Sequence, residues 1–330
     1  SGVVYVFDRD GSGGWAQSQR LEPSSREAGN RFGIRLAKQD DVLLVSATRA
    51  DAGAGAIYIY RNQNGTWAES GRIETDDRSP ADSLGSGLAI DDDWVMIGTI
   101  AQNGGRGAAY AFRRQGDTWV QHSKIAPLEL QTEDRFGSNI ALDGDHMLVS
   151  ASSAGGGQGA VYSFAYDATS DRWEAQGQLQ APALNQETAF GADIAIHEGR
   201  ALVGAPGFFG GLGSVFLYGL TEGEWRFTSL LTPFETGGGS NFGAAISFDG
   251  VVAMIGAAGS DRGQGRAFVY SIDENGEWAS ASKIRADEPG RAFFATTVAM
   301  AGNVAVGAAL GADRSAGAAH VFERSADGWS

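Results

Sequence analysis

Tryptophan recurs along this chain at a nearly constant interval, and this repeat constrains the fold more than any other feature of the sequence. Seven of the eight tryptophans are separated by 52, 52, 54, 52, 53 and 51 residues, at positions 15, 67, 119, 173, 225, 278 and 329. A Phe-Gly pair or a close variant keeps the same phase and begins repeat units near residues 32, 84, 136, 190, 242 and 294. A period of about 50 residues indicates an array of similar supersecondary units.

Each repeat unit is predicted to contain four short antiparallel strands. In the unit that begins at Phe136, a tight turn at 143–145 separates strand one from an apolar strand two, and a glycine-rich loop precedes an aromatic strand three. A polar hairpin then leads to strand four, which opens with the repeated tryptophan. No segment shows a sustained helical period, so the chain is predicted to be all-β. Four strands per unit predict a β-propeller of four-stranded antiparallel blades, formed by residues 1–330 as a single domain.

The number of blades depends on the incomplete units. Strands three and four occur seven times, including a partial unit at 1–31, whereas strands one and two occur six times. We favour seven blades, which need an additional strand pair from beyond residue 330 or from a neighbouring molecule. The alternative is six blades, in which the strand after Trp15 completes the blade begun at Phe294.

Composition argues against several functional classes. The chain has 25 Lys and Arg against 40 Asp and Glu, a formal net charge of −15, which disfavours nucleic acid and anionic membrane surfaces as partners. It has no cysteine, which excludes a disulfide framework, a thiolate zinc site and a cysteine nucleophile. Its four histidines lie at different points of different repeat units, so no histidine metal centre or Ser-His-Asp triad is predicted.

Residues 201–220 carry no charge and have the length of a membrane span. The segment contains Pro206 and six glycines and keeps the phase of the repeat, so we interpret it as two strands joined by a glycine-rich turn. The chain opens with the apolar run Val3–Phe7, without a basic segment or a cleavage pattern. Any secretion signal has therefore been removed or lies outside this sequence, and we predict no membrane insertion.

Three short motifs recur through the chain. They are the Phe-Gly start, as at Phe136-Gly137, the central Val203-Gly204-Ala205-Pro206, and the Gly-x-x-Tyr-x-Phe strand, as at 107–112. Together they resemble FG-GAP repeats, the blades of integrin α-chain propellers and of many bacterial surface proteins, over essentially the whole chain. The pattern looks most like the compact bacterial version. This resemblance implies a non-catalytic recognition or adhesion module that is extracellular, attached to the cell surface or periplasmic, and that binds a protein or a glycan.

Integrin-type repeats often hold calcium in a nine-residue loop between strands one and two, and the corresponding turns here are too short for that cage. They supply at most three acidic residues each, whereas calcium takes about six to eight oxygen ligands. We therefore predict no cofactor, with calcium as the one alternative. The weak candidates for a metal site are Asp91, Asp92 and Asp93.

Two sets of connections, from strand two to three and from strand four to the next strand one, are predicted to emerge at the same end of the blades, which we call the loop face. In the integrin relatives this end carries the ligand surface. Opposite charges and one Phe-Phe pair in these loops predict a polar ligand with an apolar contact. The candidate ligand-binding residues are Arg49, Asp51, Arg106, Phe208, Phe209, Asp261, Arg262, Asp313 and Arg314. The second loop set adds Asp76, Asp77, Arg78, Asp134, Arg135 and Arg291.

Two other functional classes stay open, although we predict that the chain is not an enzyme. Hairpins such as 8–15 resemble the Asp-box turns of sialidase propellers, and a glycoside hydrolase would need a pair of carboxylates. The second class is an assembly subunit, in which the strands of a neighbouring chain complete the propeller and generate a homo-oligomer or a complex.

Overall fold

The computed structural model describes residues 2–182, 187–234, 239–274, 276–288, 290–325 and 328–329. Within them, the strands form one two-stranded sheet and six four-stranded sheets, each in chain order. The two-stranded sheet contains β1 (Val4–Arg9) and β2 (Trp15–Leu21). The first three four-stranded sheets contain β3 (Phe32–Gln39), β4 (Val42–Ala47), β5 (Ala56–Gln63) and β6 (Thr66–Ile73); β7 (Leu84–Asp91), β8 (Trp94–Thr99), β9 (Ala108–Gln115) and β10 (Thr118–Ile125); and β11 (Phe136–Asp143), β12 (His146–Ala151), β13 (Ala160–Asp167) and β14 (Arg172–Gln178). The last three contain β15 (Ile194–His197), β16 (Arg200–Ala205), β17 (Ser214–Thr221) and β18 (Glu224–Leu231); β19 (Ala245–Phe248), β20 (Val252–Ala257), β21 (Arg266–Ile272) and β22 (Trp278–Ile284); and β23 (Phe294–Ala301), β24 (Val304–Ala309), β25 (Ala318–Ser325) and β26 (Gly328–Trp329).

These sheets confirm the predicted all-β class and the four-stranded antiparallel blades of a β-propeller. Six blades are complete, and the partial unit at 1–31 contributes the two strands predicted for it. The sheet that begins at Phe294 has its own fourth strand, β26, which pairs with β25. The six four-stranded blades agree with the six-blade alternative, but β26 and not the strand after Trp15 completes the last blade, because β2 pairs with β1. Within the described residues, the sheet of β1 and β2 lacks the strand pair that a seventh blade needs.

Six four-residue helical turns connect strand two to strand three in the complete blades. Their bounds are α1 (Ala50–Gly53), α2 (Gln102–Gly105), α3 (Ala154–Gly157), α4 (Phe208–Gly211), α5 (Ser260–Gly263) and α6 (Ala312–Ser315). The uncharged segment 201–220 therefore consists of most of β16, the turn α4 and most of β17, as predicted. Within the described residues, no helix has the length and apolar character needed to cross a membrane.

The chain divides into two compact bodies, which we describe separately. Body 1 comprises residues 1–145 and 166–173, and body 2 comprises residues 146–165 and 174–330. In body 1, apolar side chains of neighbouring sheets form one cluster, as Leu44 and Ile57 do with Val95. In body 2, Leu202 packs in the same way with Ile255. Strand two is mostly apolar because it is buried, and β4 and β20 are buried along their whole length. The single domain over 1–330 stays a prediction.

In several sheets the phenylalanine of the Phe-Gly start packs against the aromatic residues of strand three, whereas Leu84 takes the place of this phenylalanine in the sheet of β7. The Phe32 ring lies 5.5 Å from Tyr58 in an edge-on arrangement, and Phe242 lies 5.5 Å from Phe268 in the same way. In the last sheet His320 takes the aromatic position, 5.8 Å from Phe294. Edge-to-face packing adds stability beyond the area buried. The Phe-Gly start and the aromatic strand three therefore form one packing motif, although about 26 residues separate them.

The glycine before strand three is required by the contact with the next sheet. Gly107 pairs with Phe136, the first residue of the following strand one, in an isolated parallel bridge. A Cβ atom on Gly107 would lie 2.0 Å from the carbonyl oxygen of Phe136, and the φ angle of Gly107 is +84°. Any other residue would clash with this backbone and adopt an unfavourable conformation. The repeated glycine therefore permits neighbouring blades to approach closely.

Candidate functional site

The six turns from strand two to strand three share one backbone conformation, with positive φ at their second and third residues. The second residues are Asp51, Asn103, Gly155, Phe209, Asp261 and Asp313. Glycine, asparagine and aspartate tolerate this left-handed conformation, whereas it costs about 1–2 kcal/mol for most other residues. Phe209, with φ of +50°, is the one bulky apolar residue at this position. Its backbone conformation is therefore unfavourable.

Phe208 and Phe209 occupy different environments although they are adjacent. The side chain of Phe208 is buried, and its ring lies 5.3 Å from that of Phe216. Phe209 is 63% exposed, and its ring lies 4.2 Å from the Phe208 ring. The buried ring thus supports the exposed one. Phe209 presents an apolar surface to solvent without the burial that normally offsets an unfavourable backbone conformation.

A cavity of about 840 Å³ opens beside Phe209 in body 2. It lies between the turns α3 and α4 and the connection that precedes Phe190. The lining residues are Gly155, Gly156, Gln158, Glu187, Thr188, Gly207, Phe208, Phe209, Gly210 and Gly211. The volume lies within the roughly 300–1,000 Å³ typical of ligand pockets. We call this cavity the Phe209 pocket.

The polar residues of the Phe209 pocket lie along the turn α3. The Thr188 hydroxyl donates a hydrogen bond of 2.7 Å to the carbonyl oxygen of Gln158, which ties the two connections together. A Cβ atom on Gly157 would lie 3.3 Å from Cγ of Glu187, so the Glu187 side chain passes close to this turn. Glu187 is exposed, and among the described lining residues it is the one that can ionise. The pocket therefore combines an aromatic wall with a wall of hydrogen-bonding groups and one carboxylate.

Asp51 takes part in an ion-pair network within body 1. Its Oδ2 atom lies 2.5 Å from the Arg72 guanidinium and 2.8 Å from that of Arg78. Partial burial raises the pKa of the Asp51 carboxyl. The hydrogen bonds and charges of Arg72 and Arg78 lower this pKa by more than burial raises it, so the pKa lies below its ordinary value. These contacts explain the presence of Asp51 at this turn without a role in ligand binding.

The other charged candidates lie at the corresponding turns, as predicted. Asp261 forms an ion pair with Arg266 in body 2. The remaining five are exposed at or beside the turns α1, α2, α5 and α6: Arg49, Arg106, Arg262, Asp313 and Arg314. The structure tests none of them for ligand binding, so that role stays a prediction.

Residues of the second loop set also make contacts within the protein. Asp77 accepts hydrogen bonds of 2.6 Å from both the Lys124 ammonium and the Tyr110 hydroxyl. Asp134 is buried, and its carboxylate accepts a hydrogen bond of 2.7 Å from the backbone amide of Gln131. Of the other members, Asp76 donates its backbone amide to Oε1 of Gln121 at 3.2 Å, Arg78 binds Asp51, Arg135 lies 3.6 Å from Glu133, and Arg291 lies near Gly263. Charge in these loops therefore stabilises the turns themselves.

The weak metal candidates lie at the turn between β7 and β8. Asp91 Oδ2 accepts a hydrogen bond of 2.6 Å from the amide of Gly144, and Asp92 Oδ1 lies 3.5 Å from the Gln39 amide. Asp92 and Asp93 line a separate cavity of about 320 Å³ with Asp40. In the described part of the chain, no three His, Asp or Glu side chains are grouped to hold a metal ion. The expectation of no cofactor stays untested.

Gln158, Glu187 and Thr188 belong to the Phe209 pocket but were not among the predicted ligand residues. Glu187 lies three residues before Phe190, and a Cβ atom on Gly105 would similarly lie 2.9 Å from the carboxylate of Glu133, three residues before Phe136. The position three residues before the Phe-Gly pair thus lies over the turn of the preceding blade. Aligning the repeats on that pair would have identified Glu187.

Sequence comparison agrees with this repeat structure. The profile of the FG-GAP repeat family matches residues 15–60 and 119–164. Each matched segment begins at a strand-four tryptophan and ends within strand three of the next sheet. No curated protein matches the chain. The two matches and the six four-stranded blades together support an FG-GAP repeat β-propeller.

Proposed function

We propose that this protein is a non-catalytic recognition module that binds a protein or glycan ligand through the Phe209 pocket of its loop face. The observation that carries the proposal is the Phe209 residue itself. It combines a left-handed backbone, unfavourable for phenylalanine, with a ring that is 63% exposed. All six turns adopt this conformation, but phenylalanine is an unfavourable residue for it, and residues held in such conformations cluster at functional sites. A ligand that covers the ring would supply the missing burial.

The composition of the pocket supports recognition rather than hydrolysis. A glycoside hydrolase of the common type needs two carboxyl groups flanking one bond. The described lining of the Phe209 pocket contains one carboxylate, that of Glu187. In keeping with the family resemblance, we further propose that the protein acts outside the cytoplasm of a bacterium, where it is secreted, surface-attached or periplasmic. Protease accessibility on intact cells tests that location.

Array binding with a matched variant tests the proposed function. Fluorescently labelled wild-type protein and Phe209→Asn are applied to glycan and peptide arrays, with calcium and again with EDTA. We expect saturable binding of the wild type and at least tenfold weaker binding of the variant, at a similar melting temperature. Binding that is undiminished in Phe209→Asn would contradict the proposal. Loss of binding in EDTA would revise the expectation that no metal is involved.

The two-stranded sheet favours a second candidate function, completion of a blade by strands from another chain. Tyr5 and Phe7 of β1 are 49% and 51% exposed, whereas Tyr58 and Tyr60, their counterparts in β5, are 0% and 2% exposed. An added strand pair would cover these rings and extend the sheet at β1. Native mass against concentration tests self-association. A strict monomer at all concentrations, with no retained partner, would remove this candidate.

A further inference from the structure

We propose that the Phe209 pocket binds a neutral saccharide, with one face of a sugar ring stacked on the Phe209 side chain. This inference rests on the proposed function and assigns a ligand class to the same site. A sugar ring has an apolar C–H face and an edge of hydroxyl groups. A complementary site therefore needs a fixed apolar plane on one side and hydrogen-bonding groups on the other.

The apolar plane is the exposed ring of Phe209, which is supported by two further phenylalanine rings. Phe209 lies 4.2 Å from Phe208, with an angle of 52° between the rings, and Phe208 lies 5.3 Å from Phe216. Phe208 and Phe216 are buried, so they hold the exposed ring in position before any ligand arrives. A ligand that stacks on a fixed ring loses less conformational entropy than one that must order it.

The hydrogen-bonding groups lie along the turn α3. The Glu187 carboxylate offers two acceptor oxygens to hydroxyl groups, and the Gln158 amide offers both a donor and an acceptor. A Cβ atom on Gly155 would lie 3.1 Å from Oε1 of Gln158, which places that amide against the pocket wall. The closely spaced hydroxyl groups of a saccharide, each of which both donates and accepts hydrogen bonds, match these side chains.

Glycine keeps the space between the two walls open. A Cβ atom on Gly156 or Gly210 would meet no other atom within 4 Å. At the same turn position, the next two turns of body 2 carry Arg262 and Arg314. Long side chains are therefore compatible with this position, and their absence from α3 and α4 leaves bare backbone that a ring can approach.

Charge selects against acidic sugars. The single ionisable residue in the described lining is an acid, Glu187, and the whole chain carries a net charge of −15. A sialic acid, uronic acid or sulfate group would be repelled by this site. A basic peptide side chain could pair with Glu187, but it would fill only part of the 840 Å³ cavity. A neutral saccharide can form hydrogen bonds with the polar groups of the pocket and is large enough to fill it.

Saturation-transfer NMR tests the inference with neutral saccharides and charged counterparts. The probes are mono- to trisaccharides of hexoses, N-acetylhexosamines and deoxyhexoses, together with lactose and its sialylated form. The proteins are wild type, Phe209→Asn, Gly210→Asn to obstruct the pocket, and Gly104→Asn as a matched change in the turn α2. Gly104 has a φ of +70°, and its Cβ direction is nearly open, so asparagine fits there as it does at Gly210.

We expect at least one neutral saccharide to bind, with Kd raised tenfold or more by either pocket variant and unchanged within twofold in Gly104→Asn. Sialylation should weaken binding at least tenfold. If no neutral saccharide gives a signal that depends on Phe209, the inference is wrong. If peptides on the array nevertheless bind in a Phe209-dependent manner, the proposed function stands without it. If no glycan and no peptide binds in a Phe209-dependent manner, both the inference and the proposed function are wrong.

Discussion

Substitutions at Phe208 and Phe209 should have very different effects on stability, because only one of the two side chains is part of the core. The Phe208 side chain is 7% exposed and lies against Phe216. Truncating a buried phenylalanine to alanine removes its burial and leaves a cavity, at a cost of about 3–5 kcal/mol. We therefore expect Phe208→Ala to lower the free energy of unfolding by about that amount.

For Phe209→Asn, opposing contributions nearly cancel. The ring is 63% exposed, so removing it loses roughly a third of the burial stabilisation of a phenylalanine, about 0.5–1 kcal/mol. Loss of the contact with Phe208 removes about 0.5–1.5 kcal/mol more. Asparagine relieves the left-handed backbone by about 1 kcal/mol. The expected net loss of stability is about 0–1.5 kcal/mol.

Urea unfolding followed by tryptophan fluorescence and by far-UV circular dichroism measures both changes, provided that the two probes give coincident transitions. The reverse substitution, Asn103→Phe, places a phenylalanine at the corresponding residue of the turn α2, where φ is +53°. It should destabilise the protein by about 1 kcal/mol. Similar losses of 3 kcal/mol or more for Phe208→Ala and Phe209→Asn would refute the distinction between core and surface rings. A loss below about 1 kcal/mol for Phe208→Ala would refute it equally.

Three further substitutions test the account of the fold. Gly107→Ala should destabilise by at least 2 kcal/mol more than Gly116→Ala, because both glycines have positive φ but only the Cβ at 107 meets backbone, at 2.0 Å; thermal unfolding of both variants measures the difference. Tyr218→Phe should lower the free energy of unfolding in urea by about 1 kcal/mol, because the hydroxyl donates a hydrogen bond of 3.1 Å to the backbone carbonyl of Gln180; a loss below about 0.3 kcal/mol would contradict a contribution from this bond. Asp51→Asn should lose roughly 1 kcal/mol near pH 7, where the carboxylate pairs with Arg72. Because the folded-state pKa of Asp51 is lowered, this contribution is fully present above the unfolded pKa of about 4 and is lost as pH falls through the folded pKa; a stability difference that stays constant on acidification would contradict the ion pair.

The repeat in the sequence predicts much of the fold because its motifs are local. The tryptophans that mark strand four do open those strands, as Trp67 does within β6 and Trp225 within β18. The glycine before strand three and the Phe-Gly pair mark contacts between consecutive sheets, so one repeat specifies both the strand order and the packing of its neighbour. The period of the repeat and its local motifs are therefore sufficient to predict the four strands of each blade.

Other features depend on geometry that spacing does not contain. The sequence shows Phe208 and Phe209 as an equivalent pair, and only the backbone of the turn α4 separates a buried ring from an exposed one. Asp51 looks like a surface charge in the sequence, yet Arg72 from the outer strand reaches it. Glu187 comes from a connection of variable length, and its place beside the turn α3 follows from how consecutive blades pack.

Amide chemical shifts give the most direct test of the central claim, that ligand binds at the Phe209 pocket. The protein is labelled with ¹⁵N-glycine and titrated with the tightest ligand from the arrays. We expect the largest shifts at Gly156 and Gly210, which line the pocket, and little change at Gly104 in the turn α2. Large shifts elsewhere, with Gly156 and Gly210 unmoved at saturating ligand, would contradict it.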